Sequence, residues 1–204
     1  MNKVIYVIDT IIVIFYFYLR IGSFNWILKN KELFNDEQNK DIKNYLPIRS
    51  LISYTACATH LTFYTCMYSL YNSCNPESYI LCATWINLFS TTFAYYIYVY
   101  PYTLNNDYPF NFLNEILGHG PLLLLFSIRS IYIENYFNLV NFFYSICFAY
   151  AWFFLIWGPW YYITNDVIYP VFFKKKLKEI FPYTVKVTIL SFFGYIIGNL
   201  ILNT

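Results

Sequence analysis

The sequence predicts an all-α protein, a polytopic membrane helix bundle of about six transmembrane helices. Three observations carry that expectation. Of the 204 residues, 59% are hydrophobic and only 12% charged, a balance foreign to soluble domains of ordinary composition. The apolar residues gather into segments close to the length a helix needs to cross a hydrocarbon core of about 30 Å. Between them lie polar or proline-bearing connections. With no internal repeat and no second domain to be found, residues 1–204 read as one integral membrane domain.

The elements follow in order. Residues 4–19 are longer than a usual signal-peptide core, contain Asp9 and lack a small-residue cleavage pattern, which favours a first spanning helix. Asp9 stands near the start of that helix, where an interfacial carboxylate meets the favourable end of the helix dipole. Residues 21–50 carry Lys29, Lys31, Glu32, Asp36, Glu37, Lys40, Asp41 and Lys43 and are expected as a polar loop, with Asn35-Asp36-Glu37 resembling a helix cap. Residues 51–71 form the second segment. Within it Thr55, Thr59, Thr62, Cys66 and Ser69 recur at steps of four, three, four and three, a hydroxyl and thiol stripe suited to a neighbouring helix or a cavity. His60 points about 200° away from Thr62 at 100° per residue.

Residues 72–78, with Pro76, make a tight connection into the third segment, 79–100. There Thr84, Asn87 and Thr91 share helical spacing, and Tyr95, Tyr98 and Tyr100 suit an interfacial belt. After a turn at 101–107, residues 110–129 form a fourth segment interrupted by Gly118-His119-Gly120-Pro121, where the proline is expected to kink the helix. The fifth segment, 137–162, carries Gly158-Pro159 as a bend or an end. A connector at 164–181 holds a basic cluster, and residues 182–202 supply the sixth span, whose Gly194 and Gly198 permit close helix approach. Lysines and arginines concentrate after the first and fifth segments, so the positive-inside rule assigns those loops to the cytosol and both termini to the opposite side.

Composition narrows the chemistry. A net charge of +2, with basic residues in two membrane-flanking blocks, gives no surface for nucleic acid. The five cysteines are odd in number and have no CxxC spacing, so neither a disulfide framework nor a zinc site is expected; they read as packing residues. No cofactor is implied, and membrane lipids are the expected partners.

The chemically suggestive stretch is the fourth segment. Glu115 and His119 are four residues apart, so on a helix they share a face and the carboxylate would orient the imidazole as a general base. A lone intramembrane histidine also serves simply to bond helices together. Thr62 lies roughly 16 Å into its segment and His119 roughly 10 Å into its own at 1.5 Å per residue, comparable depths that modest tilt would match. Thr62, His119 and Glu115 would then be nucleophile, base and orienter. Asn87 is a candidate oxyanion donor, with an interhelical hydrogen bond as its alternative role.

Short motifs single out Thr62. Leu61-Thr62-Phe63, Val99-Tyr100-Pro101, Phe112-Leu113-Asn114 followed by His119, and Ile168-Tyr169-Pro170-Val171-Phe172 occur in an order that resembles the family of the androgen-induced protein and the androgen-dependent TFPI-regulating protein. The resemblance covers about residues 51–172. It implies a six-span hydrolase of lipid esters, including fatty acid esters of hydroxy fatty acids, with Thr62 as the intramembrane nucleophile and His119 as the histidine. The family's usual Asn-His-Gly-x-His run stands here as Asn114-Glu115-Ile116-Leu117-Gly118-His119, with one histidine missing and one extra residue of spacing. The Gly-His-Gly step is also similar to related membrane acyltransferases that use cysteine, which would make Cys66 the attacking group. A non-catalytic membrane protein or transporter is the third expectation, with His119 and Glu115 as a proton site or packing pair.

Overall fold

Many polar side chains of these apolar helices turn inward, where they pack among buried aliphatic and aromatic groups. The computed structural model describes residues 2–30, 48, 51–101, 119–133, 136–164, 169 and 177–202, and among these it contains six helical rods and no strand. They are α1 (Lys3–Asn30), α2 (Tyr54–Asn72), α3 (Ser78–Val99), α4 (Gly120–Ser130), α5 (Leu139–Thr164) and α6 (Leu177–Leu202). Four of them, α1, α3, α5 and α6, are long and apolar enough to cross a membrane. The 11 described residues of α4 reach only about 16 Å.

α3 is the axis. It packs against α2, α4, α5 and α6, while α1 closes the bundle against α2 and α4. Consequently Thr84, Asn87, Ser90, Thr91 and Thr92 are all buried on α3, and the hydroxyls of Thr84, Ser90 and Thr91 bond the carbonyls of Ile80, Ile86 and Asn87, four residues back. α1 shows the complementary pattern. Val7, Ile11, Ile14, Tyr18 and Ile21 form an exposed apolar stripe, while Ile5, Ile8, Ile12 and Leu19 face inward.

The helix boundaries correct the sequence reading at several points. α1 does not stop at residue 19 but runs through Gly22 to Asn30, with Ser23 and Ile27 in buried positions. Residues 31–47, 49 and 50 of the expected loop, including Asn35-Asp36-Glu37, lie outside the described residues, as do 102–118 and 170–176. α2 is capped by Ser53, whose hydroxyl accepts from the Ala56 N–H at 3.2 Å, and ends at Ser73 with φ of 54°. Pro121 sits in the first turn of α4, with His119 as its N-cap, where the missing N–H costs nothing; residues 110–118, on the far side of the expected kink, lie outside the described residues. Gly158-Pro159 does not end α5 either. A π-helical turn at Trp152–Trp157, in which the Gly158 N–H reaches the Phe153 carbonyl, absorbs the proline's missing donor and lets the helix continue to Thr164.

Two contacts lock the rods together. Gly194 and Gly198 on α6 bring its backbone against aromatic rings: an added Cβ would lie 2.9 Å from Phe89 Cδ1 at the first and 2.4 Å from Phe137 Cζ at the second. Asp9, expected at the interface, is instead completely buried and paired with Arg129 of α4, the guanidinium Nε donating to Oδ1 at 2.5 Å and Nη2 to Oδ2 at 3.3 Å. Nη2 also donates to Ser69 Oγ on α2 at 2.7 Å and to Asn75 Oδ1 at 3.4 Å. One ionic cluster therefore ties α1, α2, α4 and the α2–α3 turn.

Candidate functional site

The stripe on α2 turns inward as its spacing requires. Thr59, Thr62, Cys66 and Ser69 are all buried. The Thr62 hydroxyl donates to the Ala58 carbonyl of its own helix at 2.9 Å, and Thr65 shares a 2.9 Å hydrogen bond with Thr84 of α3. His60, on the other side, shares a 2.6 Å hydrogen bond with the Tyr16 hydroxyl and reaches the Leu51 carbonyl.

His119 is held from three directions. Thr92 of α3 donates to its carbonyl at 2.9 Å. Its ring stacks on Tyr95 with centroids 3.9 Å apart and planes 12° apart, and it lies within hydrogen-bonding reach of the Thr91 carbonyl. Nδ1 is buried with no partner among the described residues. A neutral imidazole that donates from its other nitrogen would present Nδ1 as a proton acceptor.

Thr62 and His119 share no hydrogen bond. From Thr84, the partner of Thr65, to Thr92, the partner of His119, is eight residues along α3, or about 12 Å; returning three residues along antiparallel α2 leaves Thr62 roughly 8 Å from the level of the imidazole. Thr59 is one turn nearer. The remaining sequence-nominated groups sit apart from His119. Cys66 lies beside Asp9 and Arg129 at the other end of the bundle. Asn87 spends both amide hydrogens on the Ala83 and Ser145 carbonyls while its oxygen accepts from the Tyr54 hydroxyl, so it performs the interhelical role, and oxyanion donation would require it to surrender one bond. Glu115 lies outside the described residues.

A cavity of about 100 Å³ opens beside this site between α3, α5 and α6, lined mainly by aromatic and aliphatic groups such as Tyr98, Trp152, Phe153 and Val187. Neither Thr62 nor His119 lines it. Tyr95 does, and its other face covers the imidazole. Tyr95, expected in an interfacial belt, is thus an interior partition, and it begins the π-helical turn Tyr95–Val99. Such turns often mark functional positions. Arg20, which reads from the sequence as a flank of the apolar run at 4–19, instead lies within α1 and donates from Nη2 to Thr59 Oγ1 of α2 at 3.2 Å. The signal that would have found it is the renewed apolar stretch Ile21–Leu28, which keeps the arginine inside a helix.

Comparison of the chain with protein-family models, with curated proteins and with solved structures finds no match. The class the fold defines is an all-α helical bundle with four helices long and apolar enough to cross a membrane.

Proposed function

We propose that the protein is a six-span, multi-pass membrane hydrolase of lipid esters, fatty acid esters of hydroxy fatty acids among them, with Thr62 as nucleophile and His119 as base. The observation that carries the reading is the buried Nδ1 of His119, which has no partner among the described residues and lies one ring away from an apolar cavity. The Thr62 oxygen attacks the ester carbonyl carbon and its proton passes to His119; collapse breaks the ester C–O bond and the alcohol leaves with that proton. Water then attacks the acyl-threonine, releasing the acid and restoring the hydroxyl. Burial of the chain contributes about 0.8 kcal/mol per methylene. The reaction requires Thr62 to leave the Ala58 carbonyl, the Tyr95 ring to turn aside and α2 to approach α4.

A second reading, a non-catalytic bundle, is favoured by the satisfied state of Thr62 on its own helix. A fluorophosphonate probe separates the two. The hydrolase reading expects covalent labelling of the wild type that Thr62→Ala and His119→Ala both abolish, with Thr59→Ala and Cys66→Ala still labelled. Unchanged labelling of both variants, or none in the wild type, removes Thr62 as nucleophile.

A further inference from the structure

Two uncommon local features converge on one place. The π-helical turn of α3, Tyr95–Val99, gives Tyr95, Tyr98 and Val99 to the wall of the cavity, and that of α5, Trp152–Trp157, gives Trp152, Phe153 and Trp157. Such turns are rare and frequent at functional sites, so two on one cavity mark it as more than a packing gap. The wall is also chemically selective. Half of its 18 residues are aromatic, against 25% of the chain. Six of these rings are tyrosine, two tryptophan and one phenylalanine, whereas the whole chain holds 24 Tyr, 5 Trp and 21 Phe. Hydrocarbon alone would be served equally by phenylalanine or leucine; a cation is drawn to the ring faces, those of tryptophan above all. A cation already stands there: Lys186, an exposed residue of α6, holds Nζ 5.2 Å from the Tyr98 ring centroid and 4.7 Å from that of Tyr183, and both rings line the cavity. Polar groups of the wall are meanwhile engaged within the protein. The hydroxyls of Thr91, Thr184 and Thr188 donate to carbonyls of their own helices, and Trp152 Nε1 donates to the Ile52 carbonyl at 2.7 Å.

We propose that this cavity seats a phosphocholine group, with the trimethylammonium among the tyrosine and tryptophan rings and the phosphate on Lys186. A quaternary ammonium has no N–H to satisfy, so it asks no acceptor of a wall whose hydroxyls are already committed, and the ring faces supply the attraction. A primary ammonium would need acceptors for three donors. Two cations against the same rings would repel each other; a phosphate joined to the incoming nitrogen by a short linker neutralises Lys186 and removes that conflict. The depth suits a headgroup. Ile180, in the wall, is three residues or about 5 Å from the start of α6, and Val99, also in the wall, ends α3, so the cavity begins near the helix ends rather than at their middle. Holding such a group calls on neither Thr62 nor His119, and the seat exists whether or not the chain hydrolyses esters.

Calorimetric titration of the purified full-length protein in dodecyl maltoside tests it. The probes are dihexanoylphosphatidylcholine and its 3,3-dimethylbutyl analogue, which has the same shape but carbon in place of the charged nitrogen. The wild type is expected to bind the choline lipid about tenfold more tightly than the analogue. Tyr98→Leu and Tyr183→Leu should each cut that preference several-fold, while Tyr98→Phe, which keeps a ring, retains more of it. The wild-type comparison needs no variant and decides even if the leucine variants fail to fold. Lys186→Gln is expected to weaken both probes several-fold and to leave the choline preference in place. Free phosphocholine separates the two sources of the group: weaker binding than the lipid assigns it to a bilayer lipid, equal binding to the soluble compound, and either upholds the seat. Equal affinity of the wild type for choline lipid and analogue, an unchanged preference in both leucine variants, or unchanged affinities in Lys186→Gln overturns the proposal. Fluorophosphonate labelling is read separately, so each assignment stands or falls by its own result.

Discussion

Asp9→Leu, with Arg129 left in place, is expected to destabilise the bundle by about 3–5 kcal/mol, the cost typical of stranding one partner of a buried ion pair. Both side chains have zero exposure, so no water is at hand to solvate the orphaned guanidinium. Ser69 and Asn75 would remain as neutral acceptors, which cannot balance a full charge. Arg129→Met should be comparably damaging because it leaves the carboxylate alone. The double variant Asp9→Leu/Arg129→Met is expected to recover most of the loss, since two well-packed apolar side chains often match a buried pair. Unfolding in mild detergent, followed by loss of the monodisperse peak after heating, gives the three values. A double variant as unstable as the sum of the singles would show that the residues act independently rather than as a pair.

Gly198→Ala is the second large effect, about 1–3 kcal/mol of destabilisation from overpacking. The new methyl would fall 2.4 Å from Phe137 Cζ and 2.5 Å from Cε1, well inside van der Waals contact, and Phe137 is itself buried, with little room to withdraw. Gly194→Ala meets Phe89 at 2.9 Å and should cost less. Pairing Gly198→Ala with Phe137→Leu should restore part of the stability, because the smaller side chain vacates the space. The same thermal measurement checks it, and a Gly198→Ala protein as stable as wild type would mean that α6 can move away from α5 without penalty.

These residues also show how far the chain could be read in advance. The stripe Thr59, Thr62, Cys66, Ser69 was legible because helical periodicity alone decides which side chains share a face, and the face proved to be buried. The glycine pair on α6 was legible for the same reason, although not that rings would fill the gap. Pro159 misled because a proline's missing donor is a local fact, whereas the π-helical turn that accommodates it depends on six aromatic and aliphatic neighbours, Trp152–Trp157. Of the proposed site, His119 stood out as a polar group in an apolar segment, open to a catalytic or a helix-bonding role, but neither the Tyr95 ring over it nor the distance to Thr62 has any signature in spacing.

Composition and periodicity were sufficient to determine that this chain is a set of apolar helices with polar faces directed at one another. They act through free energies local to a helix: burial of one face, caps at its ends, the length needed to cross hydrocarbon. Only the packed bundle decided that Asp9 meets Arg129 across 120 positions of sequence, that Arg20 turns inward to Thr59, and that a tyrosine stands between the imidazole and the cavity. Those pairings follow from the relative rotation and depth of separate rods, and that arrangement is set by all their contacts at once rather than by any single segment.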